Sequence, residues 1–134
     1  MISVTGVTNN YSLQPALLGK HASTLSWLSN TIHWKSELAF FQKKLKELKP
    51  SASSSEVRAE IENLENKILY FLIEEIEELR KKLRNHESKL AKMLEAKSEW
   101  DIQYYKEHDA LMEFAAALSE NIDKLVHLLR GYLK

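Results

Sequence analysis

From Ser51 to Arg130, apolar residues recur every three or four positions, separated by Glu, Lys, Asn and Ser. That period puts them on one face of a helix, whereas a half-buried strand would alternate them. The clearest run is Val57, Ile61, Leu64, Ile68, Leu72, Ile76, Leu79, Leu83, His86, Leu90 and Met93. Its steps of three and four average the 3.6 residues per turn of a straight α-helix. The pattern predicts a second helix over about residues 54–97, roughly 65 Å long at 1.5 Å per residue.

Before it, Trp27, Trp34, Leu38, Phe41, Leu45 and Leu48 mark one face of a first helix, from Ser23 or Thr24 to Lys49. Leu25, Leu28 and Ile32 form a second stripe, so this end must meet two neighbours, or one neighbour and the N-terminal segment. Pro50 stops the helix, and Lys43, Lys44, Lys46 and Lys49 complement the dipole at its end. Ser53 and Glu56 have capping-box spacing for the second helix. Between Ser51 and Arg130 there is neither Gly nor Pro, which argues against strands and tight turns. A break is still required, and Ser98 to Tyr104 is the expected place, with Asn85 as the alternative.

The third helix then runs from about Tyr105 to Arg130 along His108, Met112, Ala115, Leu118, Ile122, Leu125 and Leu129, and Gly131 fits its stop. The expected fold is all-α: an up–down–up bundle of three long antiparallel helices over 23–134, preceded by an irregular segment, 1–22. The middle helix exceeds its partners in length. Its bare end needs cover from the N-terminal segment or from a second copy; the expectation is self-association as a homodimer with coiled-coil character, or docking of another helical protein.

Composition narrows the function. The chain has 134 residues and no cysteine, which excludes disulfides, thiolate metal sites and a cysteine nucleophile. Nineteen basic and nineteen acidic residues leave no net charge, against nucleic-acid and anionic-membrane binding. No stretch reaches the ~18 continuous apolar residues of a membrane span. Met1–Asn10 lacks the basic and apolar regions of a signal peptide, so a cytoplasmic location is expected.

Trp34-x-x-Glu37-Leu38-x-Phe40-Phe41, the pair His86-Glu87 and the later His108 resemble a group of small uncharacterised bacterial helical-bundle proteins. Those proteins have W-x-x-E-L-x-F-[FY], an H-E pair and a further His in that order. Their pattern also has a His six residues before the Trp, where this chain has Leu28. The resemblance implies a helical fold and a bacterial origin, and brings no activity with it.

No His has Glu three residues before it, and His-Glu-x-x-His, a phosphate-binding glycine loop and a nucleophile elbow are absent. No acid–base pair is fixed by spacing, so no enzyme is predicted. If the two turns centre near residues 51 and 100, antiparallel geometry brings His33, Glu37, Glu74 and His127 towards one another. Two histidines with carboxylates suit a divalent metal such as zinc, iron or manganese. The plainer account leaves both histidines partly exposed and pairs Glu37 with a lysine. The same register puts His86 level with Phe114 and with residues 14–17, so His21 reaches it only if the N-terminal segment folds back. It leaves His108 roughly 9 Å away along the axis. A seam histidine is ordinarily a hydrogen-bonded core residue. The run Glu74, Glu75, Glu77, Glu78, Arg80, Lys81, Lys82, Arg84 pairs at i,i+4 and reads as a solvated face. The leading expectation is a structural or protein-interaction bundle; the alternative is a metal- or small-ligand-binding bundle.

Overall fold

The computed structural model describes residues 15–96 and 101–133, and no strand occurs among them. The elements are α1 (Pro15–Leu48), a 3₁₀ turn (Lys49–Ser51), α2 (Ser55–Tyr70), a π-helical turn (Phe71–Glu75), α3 (Ile76–Glu95) and α4 (Ile102–Tyr132). The all-α class is thus established, with the expected second helix divided in two.

Several boundaries differ from the expectation for identifiable reasons. α1 starts at Pro15, well before Ser23. Residues 1–14 of the expected irregular segment lie outside the described residues. The α2 cap is Ser54, one residue after Ser53: its backbone is extended, and its side chain accepts from Val57 N at 3.2 Å. Asp101 caps α4, its Oδ1 accepting from Gln103 N at 2.9 Å and Tyr104 N at 3.4 Å. This starts α4 at Ile102, ahead of Tyr105, and the helix runs past Gly131 to Tyr132.

The π turn explains the long seam. Ile68 and Ile76 are both fully buried, although eight residues of α-helix would turn them about 80° apart. Val57 to Ile68 and Ile76 to Met93 each follow a heptad, and between them stands one residue more than a heptad allows. The wider π turn absorbs that residue and realigns the two halves. Ile76 N–H accordingly bonds back five residues to Phe71 O, and Tyr70 Oη donates to Glu75 Oε1 at 2.7 Å across the same span. The mean step of 3.6 therefore describes two heptads and a skip, not one uniform helix. From Ile61 to Met93 every seam residue is buried except the half-buried Leu72. The bare end expected of the middle helix does not exist, because α1 is longer than the sequence pattern predicts.

The chain forms two compact units: residues 1–30 with 79–116, and residues 31–78 with 117–134. In the first unit, Leu17, Leu90, Ala91, Met93, Leu94 and Tyr104 form a buried cluster, with Tyr105 packed against it. In the second, Trp34, Leu38, Phe41 and Leu45 of α1, Ile61, Leu64 and Ile68 of α2, and Leu118, Ile122, Leu125 and Leu129 of α4 are buried. Here α1 runs antiparallel to α2 and the start of α3: Lys49, just past α1, reaches Glu62 and Glu65 of α2 at 3.3 Å, and Lys35 of α1 reaches Glu77 of α3 at 2.8 Å. That register centres the hairpin near residue 56, not 51. Exposed pairs of this kind contribute about 0–1 kcal/mol each, so the apolar seam holds the unit together.

Candidate functional site

The first unit gathers a set of polar side chains, most of them buried, that all belong to helices. His21 comes from α1, His86 and Glu87 from α3, and Tyr104, Glu107 and His108 from α4. His86 lies on the seam between Leu83 and Leu90, so the helical period carries it inward. Tyr104 and His108 are one helical turn apart and both face inward.

His86 is the hub. Its Nδ1 lies 2.9 Å from Glu107 Oε1, and its Nε2 lies 2.9 Å from His108 Nδ1. The Tyr104 ring stacks on it, 4.2 Å between centroids and 1° between planes. Glu107 also holds Lys89 at 3.4 Å. Beside this chain, His21 Nδ1 meets Glu87 Oε2 at 2.8 Å. Lys20 lies 5.1 Å from the centre of the Tyr105 ring.

Burial decides the charge states. It lowers the pKa of His86 despite the opposing Glu107 hydrogen bond. Burial, then the His86 charge, pushes His108 down to about 4. Both rings are therefore neutral at pH 7. Burial also raises Glu87, against the opposing His21, and raises the Tyr104 phenol, which the Glu87 charge raises further. For Glu107, burial acts upward but is outweighed by the His86 hydrogen bond and Lys89, which leave the carboxyl below its usual range.

Two buried oxygens in this cluster have no hydrogen-bond partner: Glu87 Oε1 and Tyr104 Oη. Each costs about 1–3 kcal/mol relative to a satisfied or apolar equivalent. Such groups call for an explanation, since buried polar atoms are paired as a rule. Glu107, half-exposed, connects the buried chain to a surface recess of about 480 Å³ lined by Lys82, Asn85, Glu107, Ala110, Leu111 and Phe114. Lys82 stands 4.8 Å from the centre of the Phe114 ring there.

The residues expected to gather around a metal lie in the second unit. His33, Glu37 and His127 do line one recess of about 350 Å³, with Asp123 and Arg130. Glu74 is not among its lining residues; it sits exposed on the π turn. His33 and His127 are exposed, and Glu37 is paired with Arg130 at 3.0 Å, not with a lysine. Among the described residues, no group of three or more His, Asp or Glu is disposed to hold a metal ion.

His86 and His108 meet because level residues of α3 and α4 sum to about 194, six less than a turn centred at residue 100 would give. Tyr104 and Glu107 were not legible as partners from spacing alone. The available signal was Asp101, whose capping role fixes the start of α4 and hence its register. The chain matches no known family, curated protein or solved structure. No helix among the described residues is long and apolar enough to cross a membrane.

Proposed function

We propose that the chain is a small-ligand-binding helical bundle, running up, down and up, with its binding centre at His21, His86, Glu87, Tyr104 and His108. The observation that supports this reading is the pair of buried, unpartnered oxygens on Glu87 and Tyr104. A fold keeps such groups against their desolvation cost when they serve something other than stability. The Tyr104 phenol holds its proton and donates; an ionised Glu87 accepts. The matching ligand is a small polar molecule that accepts from a phenol and donates to a carboxylate. Glu107 links the cluster to the solvent-facing recess on its outer side. The proposed role is binding, not catalysis.

The test is a thermal-shift screen of small hydroxyl- and amide-bearing compounds, with zinc, iron(II) and manganese(II) in separate arms. At least one polar compound is expected to raise the melting temperature, and Tyr104→Phe should abolish the rise. No shift from any compound would sink the reading; a shift from a metal alone would replace it with a metal centre.

The structural or protein-interaction reading has its own support. The outer side of α1 presents Leu18, Leu25 and Ile32 to solvent.

A further inference from the structure

The second unit has a recess of about 540 Å³ between α4 and the join of α2 with the π turn. That volume is in the range of small-molecule sites. Tyr70 and Phe71 give it an aromatic wall, edge to face with ring centres 5.7 Å apart. Leu125 and Leu128 of α4 add apolar surface. The Tyr70 hydroxyl donates to Glu75 Oε1 across the π turn, which holds that ring. Aligning the seam explains the extra residue of the turn, but not the exposed Leu69, Tyr70 and Ile73 gathered around it. Turns of this kind within α-helices are frequent at functional sites.

The polar lining is one-sided in charge. Lys67, Lys124 and the carboxamides of Asn66 and Asn121 line the recess, and no Asp or Glu does. The recesses of about 480 Å³ and 600 Å³ each have a carboxylate in their lining, Glu107 and Glu37 respectively. Lys124 meets Glu120 at 3.5 Å, but both side chains are 70% exposed, and such a pair is weak. We propose that this recess binds a small organic anion, its planar aromatic body against Tyr70 and Phe71 and its carboxylate or sulfonate held by Lys67 and Lys124. The lining selects this class. A cation would meet two like charges. A purely apolar occupant would cover two ammonium and two carboxamide groups and return no hydrogen bond to any of them. An extended polyanion needs a broad basic surface, which two lysines in a chain of zero net charge do not supply. A flat aromatic anion answers both the rings and the charges. The site lies in the opposite unit from Glu87 and Tyr104 and is independent of the ligand proposed there.

The test uses two fluorescent probes on the full chain: anilinonaphthalenesulfonate and its uncharged parent, phenylnaphthylamine. The sulfonate is expected to titrate to a single saturable site and to bind about tenfold more tightly than the parent, the combined effect of two partly exposed charge pairs. Lys67→Glu and Lys124→Glu should each weaken the sulfonate and leave the neutral probe unchanged. Lys106→Glu, which makes the same change in net charge on the first unit, should affect neither. All three lysines are exposed, so each variant should keep the wild-type helical circular dichroism. Equal affinity for the two probes would overturn the proposal, because the recess would then be a merely apolar patch. Failure of the sulfonate to saturate would also overturn it, as would an equal loss from Lys106→Glu. Sulfonate binding that responds to Tyr104→Phe and to neither Lys67 nor Lys124 would move the probe to the other unit and refute this site.

Discussion

Nε2 of His86 and Nδ1 of His108 lie 2.9 Å apart, and that contact fixes which nitrogen of each ring holds a proton. Glu107 accepts from Nδ1 of His86, so a neutral His86 has only a lone pair at Nε2. His108 must then donate from Nδ1, leaving its own Nε2 as an acceptor. Two-bond ¹⁵N–¹H correlation spectra at pH 7 should show both rings protonated at Nδ1. A His86 protonated at Nε2 would contradict the arrangement.

The orphan hydroxyl makes an unusual stability prediction. Tyr104→Phe keeps the ring stacked on His86 and removes an unpaired buried group. Denaturant unfolding should show a gain of about 1–2 kcal/mol, whereas truncating a satisfied tyrosine would lose about 1 kcal/mol. A loss would mean that the hydroxyl is structurally used.

Acid should weaken the fold through the histidines. The folded pKa of His108, about 4, lies below its ordinary 6.5, so between these values the unfolded chain binds the proton and the folded one does not. Stability therefore falls as pH drops from 6.5 towards 4, by up to about 3 kcal/mol from this residue. His86 acts in the same direction; Glu87, whose pKa is raised, acts in the opposite one. Unfolding midpoints across this window should slope steeply for the wild type and less steeply for His108→Gln.

Chain length along the seam is constrained locally. Deleting the exposed Ile73 from the π turn leaves Ile68 and Ile76 seven residues apart, about 20° from alignment in an α-helix. That deletion should preserve helicity and cost little in unfolding experiments. Deleting the equally exposed Asn85 rotates every later seam residue by about 100° and should cost more than about 4 kcal/mol, in the range of severe core damage. Equal effects from the two deletions would refute the account of the skip.

The sequence was most legible where one helical face meets one environment. The seam from Ile61 to Met93 reads directly from its period because every buried position but His86 is apolar. The π turn was hidden because an average over ten steps gives 3.6 whether the helix is uniform or made of two heptads and a skip. The start of α1 was missed because Leu17 has no long upstream pattern to join. The His86–His108 contact escaped for a geometric reason: each residue of error in the pivot moves the partner's level by two residues. Three residues of error turned contact into separation. His33, Glu37 and His127 share their recess all the same.

The π turn has a dynamic consequence. Wide-turn hydrogen bonds such as Ile76 N–H to Phe71 O are fewer and poorer than those of the flanking α-helix. Ile73 is also exposed there, so little packing holds the turn shut. Backbone amides around residues 71–76 should exchange with solvent deuterium ahead of those in α2 and α3. To the exchanging solvent, the stretch from Ser55 to Glu95 is two protected blocks joined by an open seam.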